Sequence, residues 1–274
     1  MSVSPEVSVS GLEIGIAFAA AALITGSAWR VRMLTVSGAV AAAVLGGTVT
    51  AAGGWSWGIV LIVFFVTSSI LSLITHRLRP QQGRNVKRGS NRDAWQVFAN
   101  GGVAMLCAVA WAFGDRDWIA AAFVASLASA AADTWATEIG AFSRFRPRLI
   151  TTLRPVERGV SGGVSFLGTL ATVAGASCIA LAGATLIDLS TITPWTLFTG
   201  VAAAGVIGSL ADSLLGATVQ IHYRCPDCDE ITERTVHRCG TPTVTERGIR
   251  FMTNDTVNVT AIVIGAIAGA LLTM

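Results

Sequence analysis

Charge is what this sequence has least of. Only 13% of its 274 residues are Asp, Glu, Lys or Arg, about half the share that covers a soluble globular domain. A water-soluble surface of this size is therefore excluded. Proline occurs seven times and tyrosine once, which leaves no room for proline-rich linkers. Five cysteines are too few for a disulfide scaffold. Disorder and collagen are excluded because the chain is apolar and unrepetitive. No G-x-x-x-x-G-K-[ST] run is present, so there is no Walker A phosphate loop. What the chain does contain is 53% hydrophobic residues and a mean hydropathy of +0.65, the composition of a polytopic membrane protein.

About 20 apolar residues cross the hydrocarbon as a helix. Eight stretches qualify: 11–29, 34–53, 55–75, 94–113, 118–142, 160–187, 195–221 and 252–273. The first ten residues lack a basic region and carry Glu6, so the first span is expected to be a retained helix and not a signal peptide. The expected fold is all-α, one transmembrane domain over 1–274 with a small insert at 222–250. Eighteen of the nineteen Lys and Arg fall in alternate loops, around Arg30, Arg77–Arg92, Arg144–Arg158 and Arg224–Arg250; the other set holds only Arg116. By the positive-inside rule both termini lie outside and the basic loops in the cytoplasm. Seven of eight Trp, including Trp57 and Trp111, fall near span ends, where an indole can sit at headgroup level; Trp135 is the exception. The net charge of +3 reads as topology, and no nucleic-acid partner is expected.

Ionisable groups inside a membrane are costly and mark function by default. Four carboxylates qualify: Asp133 and Glu138 in the fifth span, Asp212 in the seventh and Asp255 in the eighth. At 1.5 Å per residue all four fall in the cytoplasmic half. Arg92, Gln96 and Asn100 form an i, i+4, i+8 stripe at the start of the fourth span. Asn254 and Asn258 accompany Asp255, and Ser161 and Ser165 share a face at the expected start of the sixth span. A cavity open to the cytoplasm is the economical reading; separate interhelical hydrogen bonds are the bland one. Such carboxylates could hold Mg²⁺ together with substrate phosphates, or relay protons or a transported cation.

The fifth loop runs through five Arg, including Arg154 and Arg158, into Gly159-Val160-Ser161-Gly162-Gly163. Read as a helix start, this segment offers free N–H groups and the positive dipole end to a phosphate, with Arg adding bidentate contacts. A short echo links Ser129–Thr134 to Gly208–Ser213. The last basic loop reads C-x2-C-x8-H-x-C over Cys225, Cys228, His237 and Cys239. Four soft ligands at this spacing suit a closed, structural Zn²⁺ site; free or redox thiols are the alternative. His222 is a spare ligand candidate. Cys107 and Cys178 lie inside spans as packing residues.

Five blocks together resemble the integral membrane family called domain of unknown function 92, which includes the plant phytyl-phosphate kinase. They are Gln96–Gly102, Asp133–Gly140, Gly159–Ser165, Gly208–Ala217 and Asn254–Asn258. The resemblance implies transfer of a phosphoryl group from a nucleoside triphosphate, CTP favoured, to an isoprenyl monophosphate. Asp133, Glu138, Asp212 and Asp255 would be catalytic Mg²⁺ ligands. Arg154, Arg158, Gly159, Ser161, Gly162 and Gly163 would hold the triphosphate, and Arg92, Gln96, Asn100, Asn254 and Asn258 would bind substrate. The broader dolichol and phytol kinase group carries K-T-x-E-G-S; here Arg154, Glu157, Gly159 and Ser161 stand in that stretch, with no Lys. The expected location is the cytoplasmic membrane, with the site facing the cytoplasm and a homodimer possible. Two other classes fit the same residues: a transporter or lipid scramblase, and a cytidylyltransferase that releases pyrophosphate.

Overall fold

The computed structural model describes residues 11–78, 91–114 and 116–274. Eight helices are long and apolar enough to cross a membrane: α1 (Gly11–Arg30), α2 (Val36–Gly53), α3 (Trp55–Leu78), α4 (Ala94–Ala112), α5 (Asp117–Gly140), α6 (Phe166–Leu186), α7 (Pro194–Thr218) and α8 (Asn254–Thr273). Arg79, Arg84, Lys87 and Arg88, part of the charge pattern above, lie outside the described residues.

Local chemistry sets the helix starts. Asp93 and Gln96 form a capping box at α4, in which Asp93 Oδ1 accepts from Gln96 N–H at 2.9 Å and satisfies an orphan donor. Thr35, Ser165, Thr193 and Thr253 cap α2, α6, α7 and α8 in the same way. Pro194 sits in the first turn of α7, where a missing N–H costs nothing.

The sixth span differs from the sequence expectation. Its helix begins at Phe166 and not near residue 160. Residues 163–164 form β2, paired antiparallel with β1 (Arg148–Leu149), so the long-range pairing claims this backbone before the helix can. Gly159 and Gly162 adopt φ of +86° and +80°, left-handed values that a glycine accepts at no steric cost.

α5 is the axis of the bundle. It packs on α3, α4, α6, α7 and α8, and nearly every residue from Asp117 to Ala132 is buried. Small residues permit the close approach. Gly168, Gly175 and Gly183 turn one face of α6 toward Ala136, Trp135 and Val124 of α5. Ser129 of α5 is wedged against Gly208 of α7 and Gly265 of α8, so that a side chain at either glycine would collide with its hydroxyl. At the start of α5, Asp117 Oδ2 accepts from Thr191 N–H at 2.5 Å and from Thr191 Oγ1 at 2.6 Å, which ties the helix to the α6–α7 loop. Large apolar side chains such as Leu106 and Leu271 point outward, as a lipid-facing surface requires. Trp57 does not sit at an interface: it is 2% exposed and stacks against Phe123 and Trp111 with ring centroids 4.2 and 5.3 Å away. Its indole has more apolar surface to bury in the core than at a headgroup.

Between α7 and α8 the chain leaves the bundle and forms a three-stranded antiparallel sheet of β3 (His222–Arg224), β4 (Ile231–Thr232) and β5 (Val244–Arg247), in the order β4-β3-β5. Arg224 clamps β5 through a bidentate pair with Glu246 at 2.8 Å and reaches Asp229 at 2.7 Å.

Candidate functional site: a polar cavity at one end of the bundle

The three-helix crossing at Ser129 positions the acids. One turn beyond it lie Asp133 on α5 and Asp212 on α7; one turn before Ala261, whose carbonyl approaches Gly208, lies Asn258 on α8. Steps of three or four residues keep a face, so these side chains continue the inward-facing surfaces of their helices toward the same end. Asp133 is seven residues from the end of α5 and Asp212 six from the end of α7, about 10 Å of helix. There the glycines give way to a cavity with about 1540 Å³ of empty space.

Most of its walls come from six places, with Gln220 after α7 and Glu233 from the α7–α8 insert completing them. Asp133, Thr137 and Glu138 are on α5; Ser209, Asp212 and Ser213 on α7; Asn254 and Asn258 on α8. α6 contributes Thr169 and Thr172, α3 contributes Thr75 and His76, and the α5–α6 loop contributes Arg158, Gly159, Ser161, Gly162 and Gly163. Glu138 is held by α3: Ser72 Oγ donates to its Oε1 at 2.7 Å, and Thr75 Oγ1 donates to its backbone carbonyl at 3.3 Å. Arg158 is oriented by its own loop, donating through Nη2 to the Ser143 carbonyl at 2.6 Å. Gly162 is required twice over: its φ is left-handed, and a Cβ there would lie 2.5 Å from the Ala217 Cβ. The Gly163 N–H is engaged by the Val160 carbonyl at 3.0 Å, so this segment is a closed tight turn, with Arg158 beside it in the cavity wall.

Several expected site residues are placed elsewhere. Arg92, Gln96 and Asn100 line a second, nearly apolar cavity with about 850 Å³ of empty space, walled by α1, α2, α3 and α4. The Arg92 guanidinium lies 5.9 Å from the centre of the Phe65 ring. The stripe is intact, but α4 presents it to α2 and α3 and away from the acids. Asp255 is in the first turn of α8 and outside the cavity lining, because its position on the helix is rotated about 100° from Asn254. Arg154 is exposed and also outside it, and its carbonyl accepts from Leu149 N–H at 3.0 Å. The four carboxylates are thus not one cluster. Three of them line the cavity, and among the described residues no three carboxylates converge as metal ligands. One or two carboxylates plus phosphate oxygens is nevertheless the donor set Mg²⁺ takes.

Six polar residues of the cavity gave no sequence signal: Thr75 and His76 at the end of α3, Thr169 and Thr172 on α6, Gln220 after α7, and Glu233 from the insert. None belongs to a charged or repeated pattern, and a hydroxyl in a span reads as packing.

In the insert, the ligand atoms of Cys225, Cys228, His237 and Cys239 lie within 4.8 Å of one another. Cys225 Sγ is 3.6 Å from Cys239 Sγ, close to the ~3.8 Å that two 2.3 Å Zn–S bonds in a tetrahedron demand. His237 turns Nδ1 to Cys239 Sγ at 3.1 Å, while its Nε2 is 3.3 Å from Glu230 Oε2. A carboxylate on the second ring nitrogen is the usual orienting partner of a metal-binding histidine. Hydrogen bonding with Thr241 and His237 pulls the Cys239 thiol down to about 6, toward a thiolate, while hydrogen bonding with Cys239 and burial push the neighbouring Cys228 thiol up to about 12. His222 is not part of this group. It is buried at the root of the insert, and burial, with Arg247 nearby, holds its imidazole down at about 4.

The sequence model of the integral membrane protein family DUF92 matches residues 19–266. The chain is 30% identical to Protein PGR of Arabidopsis thaliana, over 88% of this chain and 90% of that one. It is 30% identical to an uncharacterized membrane protein of Methanocaldococcus jannaschii, over 88% and 86%. The chloroplastic protein VTE6 of Arabidopsis thaliana is 28% identical, over 91% of this chain and 68% of that one. No solved structure matches.

Proposed function

The chain belongs to the DUF92 family of integral membrane proteins, and from that membership we propose that it transfers the terminal phosphoryl group of a nucleoside triphosphate, CTP favoured, to an isoprenyl monophosphate. The observation that carries this reading is the company Asp133 and Asp212 keep: acids from two helices, an arginine and a left-handed glycine turn line one cavity at the end of the bundle. A transported cation needs acids; a phosphate ligand would use Arg158 and the turn as well.

An oxygen of the acceptor phosphate attacks the γ-phosphorus, and the bond from that phosphorus to the β–γ bridging oxygen breaks. The lipid diphosphate forms and the nucleoside diphosphate leaves. The attacking phosphate is already ionised, so positioning and charge stabilisation suffice and no strong base is required. Asp133 and Asp212 would hold Mg²⁺, with Glu138 beside them; bound there, the ion supplies charge neutralisation for the phosphates. Asn254 and Asn258 offer amide donors from α8. The second cavity suits the isoprenoid part of the acceptor, and its polar end at Arg92, Gln96 and Asn100 is assigned to that lipid and not to the nucleotide. The Cys/His group is assigned to Zn²⁺ in a structural role, and by the charge pattern the polar cavity opens to the cytoplasm.

The test offers phytyl or geranylgeranyl monophosphate with CTP or ATP and Mg²⁺ to purified protein, and identifies lipid products by mass spectrometry. A diphosphate is expected, reduced about 100-fold or more in Asp133→Asn by analogy with the loss of one charge-stabilising group. Undiminished turnover in that variant sinks the site. A CDP-linked lipid moves the reading to cytidylyl transfer, and nucleotide-independent lipid movement in vesicles moves it to transport.

A further inference from the structure

The insert could be a metal-braced loop and nothing more, were it not for one side chain. Just past β4, Glu233 leaves the sheet and enters the polar cavity. Its Oε1 accepts from Ser161 Oγ at 3.1 Å and from Gln220 Nε2 at 2.8 Å, while Gln220 Nε2 also donates to Ser161 Oγ at 3.1 Å. The three side chains close a triangle. Gln220 is 2% exposed, so its amide has no water to fall back on if the triangle opens. Ser161 is in the glycine turn itself, next to Gly162 on Ala217. The root of the insert is fastened to the same place: Arg247 Nη1 donates to the Ala217 carbonyl at 2.6 Å, and Ile249 N–H to the Val219 carbonyl at 2.9 Å.

From Glu233 the chain runs directly to the metal group. Thr243 Oγ1 donates to the Arg234 carbonyl at 2.7 Å, Thr243 N–H to Thr235 at 3.0 Å, and His237, a ligand, follows four residues after Glu233. A segment this short and this rich in Thr has no apolar core of its own. Its shape depends on the cross-link that the metal would supply.

We propose that Glu233 is a positioning residue for the glycine turn, and that the Cys225/Cys228/His237/Cys239 metal site sets it. With metal bound, Glu233 is presented to Ser161 and Gln220 and holds 158–164 in the form that receives phosphate. When the metal leaves, the triangle opens, the turn loosens, and donor binding weakens. Metal occupancy thereby becomes a control on the phosphate site. A carboxylate in direct contact with a triphosphate would repel it; engaged by Ser161 and Gln220, this one orders the turn instead. The consequence for donor binding rests on the phosphoryl-transfer reading; the ordering of the turn does not.

The experiment uses the full chain in detergent. Amide hydrogen exchange of residues 158–164 is compared between zinc-loaded protein, chelated protein, and zinc-loaded Glu233→Ala and Glu233→Gln. Bound zinc is measured in each. Chelation and Glu233→Ala are expected to raise exchange in 158–164 by a similar factor, and no further when combined. Glu233→Ala keeps its zinc, which shows that the insert is folded, and Glu233→Gln, which retains an acceptor oxygen, stays near the parent. In the kinase assay the donor KM rises about tenfold in Glu233→Ala with kcat within about twofold, the size of a lost hydrogen bond to a charged group. Unchanged exchange at 158–164 on chelation, or in Glu233→Ala, overturns the proposal. If the parent protein shows no turnover, the kinase reading fails and the exchange result alone decides this one.

Discussion

His222 illustrates how a single residue can carry a segment. Its ring is buried between the end of α7 and β5, and its Nε2 finds no partner among the described residues. Burial first, and the positive field of Arg247 second, hold it neutral down to about pH 4; in the unfolded chain it would take up a proton at 6.5. Between those values the unfolded insert binds the extra proton and the folded one does not, so stability is complete above pH 6.5 and falls as pH drops toward 4. The chain's one tyrosine, Tyr223, is its neighbour, so fluorotyrosine labelling reports on the insert alone. We expect a second, unfolded fluorine resonance to grow as pH is lowered from 6.5 to 4, and its midpoint to move to lower pH in His222→Leu. An unshifted midpoint assigns the acid sensitivity to the metal ligands. By sequence His222 is a spare ligand candidate, because a histidine near C-x2-C can serve as a ligand; its burial at the root of the insert is what separates it from the four.

Helices carry the site by where they touch. The contact of Ser129 with Gly208 and Gly265 lies one turn from Asp133, Asp212 and Asn258, so the spacing of three helices and the geometry of the acids are one quantity. Gly265→Val should force α8 away from α5, with a loss of about 1–3 kcal/mol, and should weaken turnover although residue 265 is two turns from Asn258. Leu271→Ala, on the outward face of the same helix, should change neither by more than a fraction of that. Thermal unfolding in detergent and the lipid kinase assay measure both, and equal effects at the two positions would show that α8 packing does not set the site. The existence of these helices was legible in apolar length and caps. Their facing was not, because they are apolar and small-residue-rich on every side, so no polar stripe marks the buried face. Of the short polar stripes that were legible, Asn254–Asn258 does line the cavity of the acids, whereas Arg92–Gln96–Asn100 lines a different one.

At the scale of the whole molecule, the polar cavity and the insert share one end of the bundle, and the α6–α7 loop with the start of α5 occupies the other. On the reading proposed above, the distribution of Lys and Arg would put the first end in the cytoplasm. A cysteine placed at exposed Asp188, in the α6–α7 loop, should react with an impermeant maleimide in intact cells, and one at exposed Thr235, in the insert, only after lysis. The reverse labelling would turn the site to the outside, away from the cell's nucleotide, and remove the ground for a kinase.

What the sequence by itself determined is local in origin. Eight apolar stretches of the right length can only be helices in lipid, where every backbone group must be satisfied within its own segment. Four side chains that could hold a metal within fifteen residues are brought together by turns such as Cys225–Asp229, where Asp229 N–H meets the Cys225 carbonyl at 2.9 Å. The acids at 133 and 212 announced themselves because charge in a membrane needs a reason. What only the tertiary structure decided depends on contacts between distant segments. Pairing of 148–149 with 163–164 made a turn of what reads as a helix start. A rotation of one position on α8 left Asp255 outside and Asn254 inside. Glu233 reached the cavity from the α7–α8 insert, 72 residues from Ser161. No spacing rule links residues that far apart, because the free energy that joins them belongs to the packed whole and not to either segment.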